Sequence, residues 1–159
     1  MKSQASQLTA WMQPEQIHLD VPLRDVRHAL EYIADAIGAA HGLESGPIFR
    51  ALSRREQAGS TALGGGFAIP HARIPGIDQP LTMLVRARQA IEFDAPDRAP
   101  VNLVLAIVVP AHGDTQDHLE LLALISEVFS QRGLRAQLDD AVDTTSAARA
   151  ISAAAQRGQ

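Results

Sequence analysis

Residues 101–109 read VNLVLAIVV, a nearly continuous run of β-branched and aliphatic side chains. A strand with one wet face alternates apolar and polar positions. A run without that alternation fits a strand buried on both faces, and this one predicts the centre of a sheet.

Around that strand the pattern alternates between extended and helical segments. Residues 17–21 alternate as Ile, His, Leu, Asp and Val and predict a short strand, with His18 and Asp20 on the far face and His18 read as solvated. From Leu23 onward, Val26, Leu30, Ile33, Ala34 and Ile37 recur at helical spacing, with Gly38 or Gly42 as terminator. A second helix from Ser45 or Pro47 to Ala58 buries Ile48, Ala51 and Leu52, with Pro47 tolerated in its first turn. Residues 67–69, 81–87 and 91–93 read as further extended pieces. Thr115 or Asp114 caps a helix carrying Leu119, Leu122, Ile125 and Phe129. A short helix is expected over 134–138, and Thr144 or Thr145 caps a last, alanine-rich one through Ala148, Ile151 and Ala155. Strands interleaved with helices indicate an α/β layered domain.

The 159 residues fit one domain, assigned to 15–155. Residues 1–14 are mostly polar, with Leu8, Trp11 and Met12 as their large apolar members, and are expected to be a flexible lead-in. A formal net charge of −4 and a pI near 5.8, with no basic block, argue against a nucleic-acid partner. Cysteine is absent, which excludes disulfides and thiolate chemistry. No apolar run reaches the length of a membrane span, so no membrane insertion is expected and the cytoplasm is the expected compartment.

Residues 64–73 read GGGFAIPHAR. Consecutive glycines permit positive φ and close approach of the backbone to a ligand or another chain. Pro70 ends pairing and restricts Ile69 to extended geometry, placing His71 just past a strand end. An imidazole there can serve as nucleophile, general base or metal ligand, and the residues alone leave those three open. Arg54 and Arg55 lie near a helix C-terminus, where cations are favoured. Ser60 and Thr61 offer hydroxyls to a phosphate, or cap a strand. Arg73, two residues past His71, shares its face on an extended chain. His118 falls in the first turn of its helix, where free N–H groups and the helix dipole suit an anion. Asp94 and Asp97 sit in a proline-containing loop and read as turn residues.

The run REQAGST over 55–61 and the GGGFAIPH that follows resemble the phosphorylation region of the type 2 enzyme IIA domains. These belong to the bacterial phosphoenolpyruvate-dependent phosphotransferase system, in its fructose, mannitol and nitrogen-regulatory branch. The resemblance continues through Phe93-Asp94-Ala95, Pro100-Val101, Val109-Pro110-Ala111 and Asp117-His118-Leu119, covering about residues 17–151. It implies a mixed β-sheet sandwiched between helices. It also implies that His71 accepts a phosphoryl group on Nε2 from the phosphohistidine of an HPr-type carrier protein, that His118 lies beside it and positions the group, and that Arg55 is the active-site arginine. No cofactor or metal is implied. The family usually has glycine after the acceptor histidine, where this chain has Ala72; its N–H still suits a phosphate contact, and a positive φ does not.

These residues include no cysteine-bearing IIB or membrane IIC portion, so a free-standing component is expected, and with the run GSTALGGGFAIPH the resemblance favours the nitrogen-regulatory type. Its expected partners are the carrier and a regulated transporter or sensor kinase. The alternative is a sugar-specific component that passes phosphate to a IIB protein, and a third reading is a binding module without phosphorylation. A metal hydrolase using His71, His118 and Asp114 or Asp117 lacks any supporting ligand spacing.

Overall fold

The computed structural model describes residues 4–157. It is a mixed α/β structure whose sheet has six strands: β1 (Ile17–Val21), β2 (Ala62–Gly64), β3 (Phe67–Ala68), β4 (His71–Ile74), β5 (Leu81–Ile91) and β6 (Val101–Pro110). Among the described residues there are six α-helices: α1 (Gln4–Trp11), α2 (Val26–His41), α3 (Ser45–Ala58), α4 (Thr115–Phe129), α5 (Arg132–Asp140) and α6 (Thr144–Arg157). The chain expected as one domain divides into two compact units, residues 18–112 and the remainder on either side.

In the unit 18–112, β6 is the central strand, as its composition predicts. On one side it pairs antiparallel with β5, which also neighbours β1. On the other it pairs parallel with β3 and then β4, and β3 pairs antiparallel with β2 at the edge. Val104, Ala106 and Val108 of β6, with Met83, Val85 and Ala87 of β5, form one core with Leu30, Ile33 and Ile37 of α2 and Ile48 and Leu52 of α3. The alternate residues Leu103, Leu105 and Ile107 lie on the other face and are also buried. Both faces of β6 are therefore dry, which is why its sequence shows no alternation.

The helix ends follow their residues. Asp25 caps α2 by accepting from the His28 N–H at 2.8 Å, and Gly42 closes it in the left-handed region at φ 67°. Gly38 does not end the helix. It is buried, its carbonyl accepts from the Leu43 N–H, and a Cβ there would lie 2.6 Å from the Leu43 carbonyl oxygen.

Several expectations are corrected. The extended piece at 81–87 continues to Ile91 as one strand, β5, with an irregularity in register between Arg86 and Ile91, and residues 92–93 lie outside it. His18 is half-buried, its Nδ1 2.5 Å from the Tyr32 hydroxyl and its ring edge-on to the tyrosine; burial lowers its pKa. Asp20 ion-pairs with the buried Arg86 at 3.0 Å.

In the other unit α6 is the hub: α1, α5 and α4 all pack on it. Its small apolar face, Ala147, Ala150, Ile151, Ala154 and Ala155, lets neighbouring helices approach closely. The cap of α6 is Asp143, which accepts from the Ser146 N–H at 2.7 Å, rather than Thr144 or Thr145. Asp114 caps α4, accepting from the Gln116 N–H. The buried stripe of α4 is Leu121, Ile125, Val128 and Phe129, whereas Leu119 is 54% exposed. Of the expected flexible lead-in over 1–14, residues 1–3 lie outside the described residues. From Gln4 the expectation fails, because Leu8 and Met12 are one helical turn apart and both fully buried, which anchors α1.

Candidate functional site

Three consecutive glycines build a hairpin. Gly64 pairs with Phe67 across a two-residue turn, and Gly64, Gly65 and Gly66 have φ of 93°, 65° and 80°. Positive φ at both central residues is the turn geometry that matches strand twist, and glycine adopts it without steric cost. The Asp97 carboxylate closes the turn by accepting from the Gly65 N–H at 2.8 Å and from the Ala99 N–H at 3.1 Å, and these bonds hold its pKa below the usual value. The glycines thus shape the chain that delivers His71.

Pro70 interrupts pairing only briefly. Its carbonyl accepts from the Ile107 N–H, and His71 is the first residue of β4 rather than a residue beyond a strand end. Phe67 sits opposite Leu103 and His71 opposite Ile107, so the offset between partners is unchanged across the proline. Ala72 and Ile74 pack with the core under α2 and α3, which puts His71 and Arg73 on the other face of the strand. Arg73 shares the face of His71, as the extended spacing predicts.

The ring of His71 is half-buried, and its Nδ1 lies 2.7 Å from the carbonyl oxygen of Ile69. A carbonyl only accepts, so Nδ1 carries the proton and Nε2 keeps the lone pair. Burial lowers the His71 pKa first of all; the Ile69 hydrogen bond opposes this, Arg55 lowers it further and Glu56 raises it. The net direction is down, which favours a neutral ring with a nucleophilic Nε2.

Arg55 and Glu56 reach His71 from the last turn of α3, which packs against β4. Arg55 donates from Nη1 to the Gly59 carbonyl at 2.8 Å, which satisfies the helix end and fixes the guanidinium. The hydroxyl protons of Ser60 and Thr61 are committed elsewhere, to the Phe93 carbonyl and the Glu56 carboxylate. In this arrangement neither can donate to a phosphate. Ala72 is an ordinary strand residue without positive φ, its methyl against the core, so the alanine introduces no strain.

His71, Arg55, Ser60, Thr61, Ala72 and Arg73 all belong to the unit 18–112, and the structure brings Arg55 into electrostatic range of His71. His118 belongs to the other unit. It is half-buried in the first turn of α4, where its N–H donates to the Asp114 carbonyl. Among the described residues no group of three or more His, Cys, Asp or Glu is placed to hold a metal ion, and no helix is long and apolar enough to cross a membrane.

Two contributors escaped the sequence reading: the Ile69 carbonyl and Glu56. The first is backbone and carries no residue signature. For Glu56 a signal existed, since an acid in the last helical turn opposes the dipole and calls for a specific donor nearby.

Comparison with known proteins supplies the context. The family model described as "Phosphoenolpyruvate-dependent sugar phosphotransferase system, EIIA 2" matches residues 10–154. A nitrogen regulatory protein of Pseudomonas aeruginosa is 35% identical over 124 residues, covering 77% of this chain and 80% of the relative. A fructose-specific EIIA component of Haloferax volcanii is 33% identical over 128 residues, covering 80% and 82%. The crystal structure of the nitrogen regulatory protein IIA-Ntr from Neisseria meningitidis superposes with a TM-score of 0.85 at 31% identity, covering 92% of this chain and 99% of that one.

Proposed function

Because the chain belongs to the EIIA 2 family of the phosphoenolpyruvate-dependent sugar phosphotransferase system, we propose that it is a phosphoryl carrier and regulatory protein whose acceptor is Nε2 of His71. The observation that carries this reading is the Nδ1 contact to Ile69, which leaves Nε2 with its lone pair in a ring biased to the neutral form. The donor is the phosphohistidine of an HPr-type carrier. In line, the N–P bond to Nε2 of His71 forms as the donor's N–P bond breaks, and the donor imidazole leaves with the electron pair. Positive charge grows on the His71 ring during attack, and the Ile69 carbonyl stabilises it through the Nδ1–H. Arg55 offers fixed positive charge to the transferring oxygens, and His118, in the first turn of α4, is the second histidine of this reading. The protein works in the cytoplasm and signals to a transporter or sensor kinase through its phosphorylation state.

The nitrogen regulatory relatives and the 0.85 superposition on IIA-Ntr favour the regulatory role. The fructose-specific relative supports a second reading, in which His71 passes its phosphoryl group to a IIB protein. Loss of growth on one sugar in a deletion strain selects the second reading; unchanged sugar growth with altered regulation selects the first.

The test is intact-mass analysis after incubation with phosphoenolpyruvate, enzyme I and an HPr-type carrier, for wild type, His71→Ala and His118→Ala. One acid-labile phosphoryl group on wild type, lost in His71→Ala and formed slowly in His118→Ala, is the expected result. Wild type that stays unmodified with several carriers overturns the proposal.

A further inference from the structure

We propose that Glu56 is a positioning residue for His71, acting through Thr61 and Ile69 to hold the ring in the tautomer that keeps the proton on Nδ1 and the lone pair on Nε2. The inference deepens the acceptor reading above and rests on a series of three links, the first of them a pair of hydrogen bonds. The two carboxylate oxygens of Glu56 accept from Thr61, one from its N–H at 2.9 Å and one from its hydroxyl at 2.5 Å. The Thr61 carbonyl accepts from the Ile69 N–H at 3.1 Å. The Ile69 carbonyl accepts from His71 Nδ1 at 2.7 Å.

Each link has little slack. Thr61 is 5% exposed, so water does not readily replace the carboxylate as its partner. Two acceptors on one threonine fix both its position and its orientation, and a charged acceptor makes such bonds short and strong. Pro70 separates Ile69 from His71, restricting the first to extended geometry and having a fixed φ of its own. Its carbonyl is pinned to Ile107 of the central strand. A shift of Thr61 therefore moves the Ile69 carbonyl relative to the ring instead of being absorbed by the backbone. The charged groups on α3 that act on His71, Arg55 and Glu56, have opposite effects on it, so Glu56 also offsets the neighbouring arginine.

The mere helix-end alternative predicts something different. An acid in the last turn that only anchors the α3–β2 connection would affect melting and leave the imidazole unchanged.

The experiment is long-range proton–nitrogen NMR of His71 at alkaline pH, where the ring is neutral, in the full chain of wild type, Glu56→Ala, Thr61→Val and Thr61→Ser. Wild type and Thr61→Ser are expected to show the Nδ1–H tautomer as the dominant species. Glu56→Ala and Thr61→Val are expected to lose that bias and drift toward the mixture of a free imidazole. Glu56→Gln keeps the side-chain shape and removes the charge, and its His71 titration midpoint should fall below that of wild type. Should Glu56→Ala not fold, Thr61→Val against Thr61→Ser gives the same comparison with the carboxylate in place. An unchanged tautomer in folded Glu56→Ala, or in Thr61→Val, overturns the proposal. The readout needs no phosphoryl donor, so a wild type that is never phosphorylated defeats the acceptor reading and leaves this one standing or falling on its own spectrum.

Discussion

The Nδ1 of His71 lies 2.7 Å from the carbonyl oxygen of Ile69, with one proline between the two residues. The imidazole is oriented by the backbone immediately ahead of it. The contact also opposes the acid shift that burial imposes, and burial wins.

His71 should therefore titrate below its ordinary value of 6.5. Above that value the ring is neutral in folded and unfolded chains alike, and the group has no effect on stability. As pH falls below 6.5 the unfolded chain takes up the proton first, so stability declines until the folded ring also titrates. A proton NMR titration checks the midpoint. His71→Gln should flatten this part of the stability profile, leaving the His18 contribution, which has the same sign because its pKa is also lowered by burial.

Gly38→Ala should destabilise the protein although the site is inside a helix. Helix propensity alone predicts a gain of about 1 kcal/mol. The added Cβ meets the Leu43 carbonyl oxygen at 2.6 Å, a backbone atom that cannot swing aside. Overpacking of this kind costs about 1–3 kcal/mol, and urea denaturation gives the sign directly.

Gly65→Ala should cost about 1–2 kcal/mol by forcing an L-residue into the left-handed region at φ 65°. Gly65→Asn should recover part of it, because asparagine tolerates that region. Denaturation midpoints and the amide exchange of residue 65, which is bonded to Asp97, report both effects.

Ala72→Gly installs the glycine that the family resemblance implies at this position and, under the proposed role of His71, should gain nothing in transfer, since Ala72 has no positive φ to relieve. The substitution removes a methyl from the core and loosens a strand, for a loss of about 0.5–1 kcal/mol. Single-turnover phosphorylation and thermal melting, measured on the same sample, separate the two effects.

Leu8→Ala should cost about 2–5 kcal/mol, the range for a buried leucine. An unstructured lead-in would show no change. Leu8 is fully buried on a helix that packs on α6, so the melting curve of this one variant distinguishes the two.

What could be read in advance followed the physics of each segment. The strand 101–110 was legible because burial on both faces removes every polar position but one from its interior. Helices α2 and α3 were legible because each has a single apolar stripe and a recognisable end. The strands β2 and β4, three and four residues long, are too short for a period to show, and they exist because Gly65 and Gly66 turn the chain and β6 receives it. Helix α1 was missed because its burial depends on the alanine face of α6, at the far end of the sequence. In α4, leucines occur on more than one stripe, and packing rather than periodicity selects Leu121 over Leu119. At the site, His71 and Arg55 were legible as residue types. The tautomer was not, because it is set by a carbonyl, and Glu56 was not, because its partner Thr61 comes from the connection between α3 and β2.

The unchanged offset of β3 and β4 along β6 bears on the order of events during synthesis. The β2–β3 hairpin is local and can close as soon as it leaves the ribosome, but the parallel pairing that seats His71 opposite Ile107 must wait for a segment made later. Until β6 docks, the histidine has no fixed neighbour on its strand. The imidazole takes up its defined position only when the central strand is in place, so the geometry around His71 is a property of the finished sheet and not of the local segment.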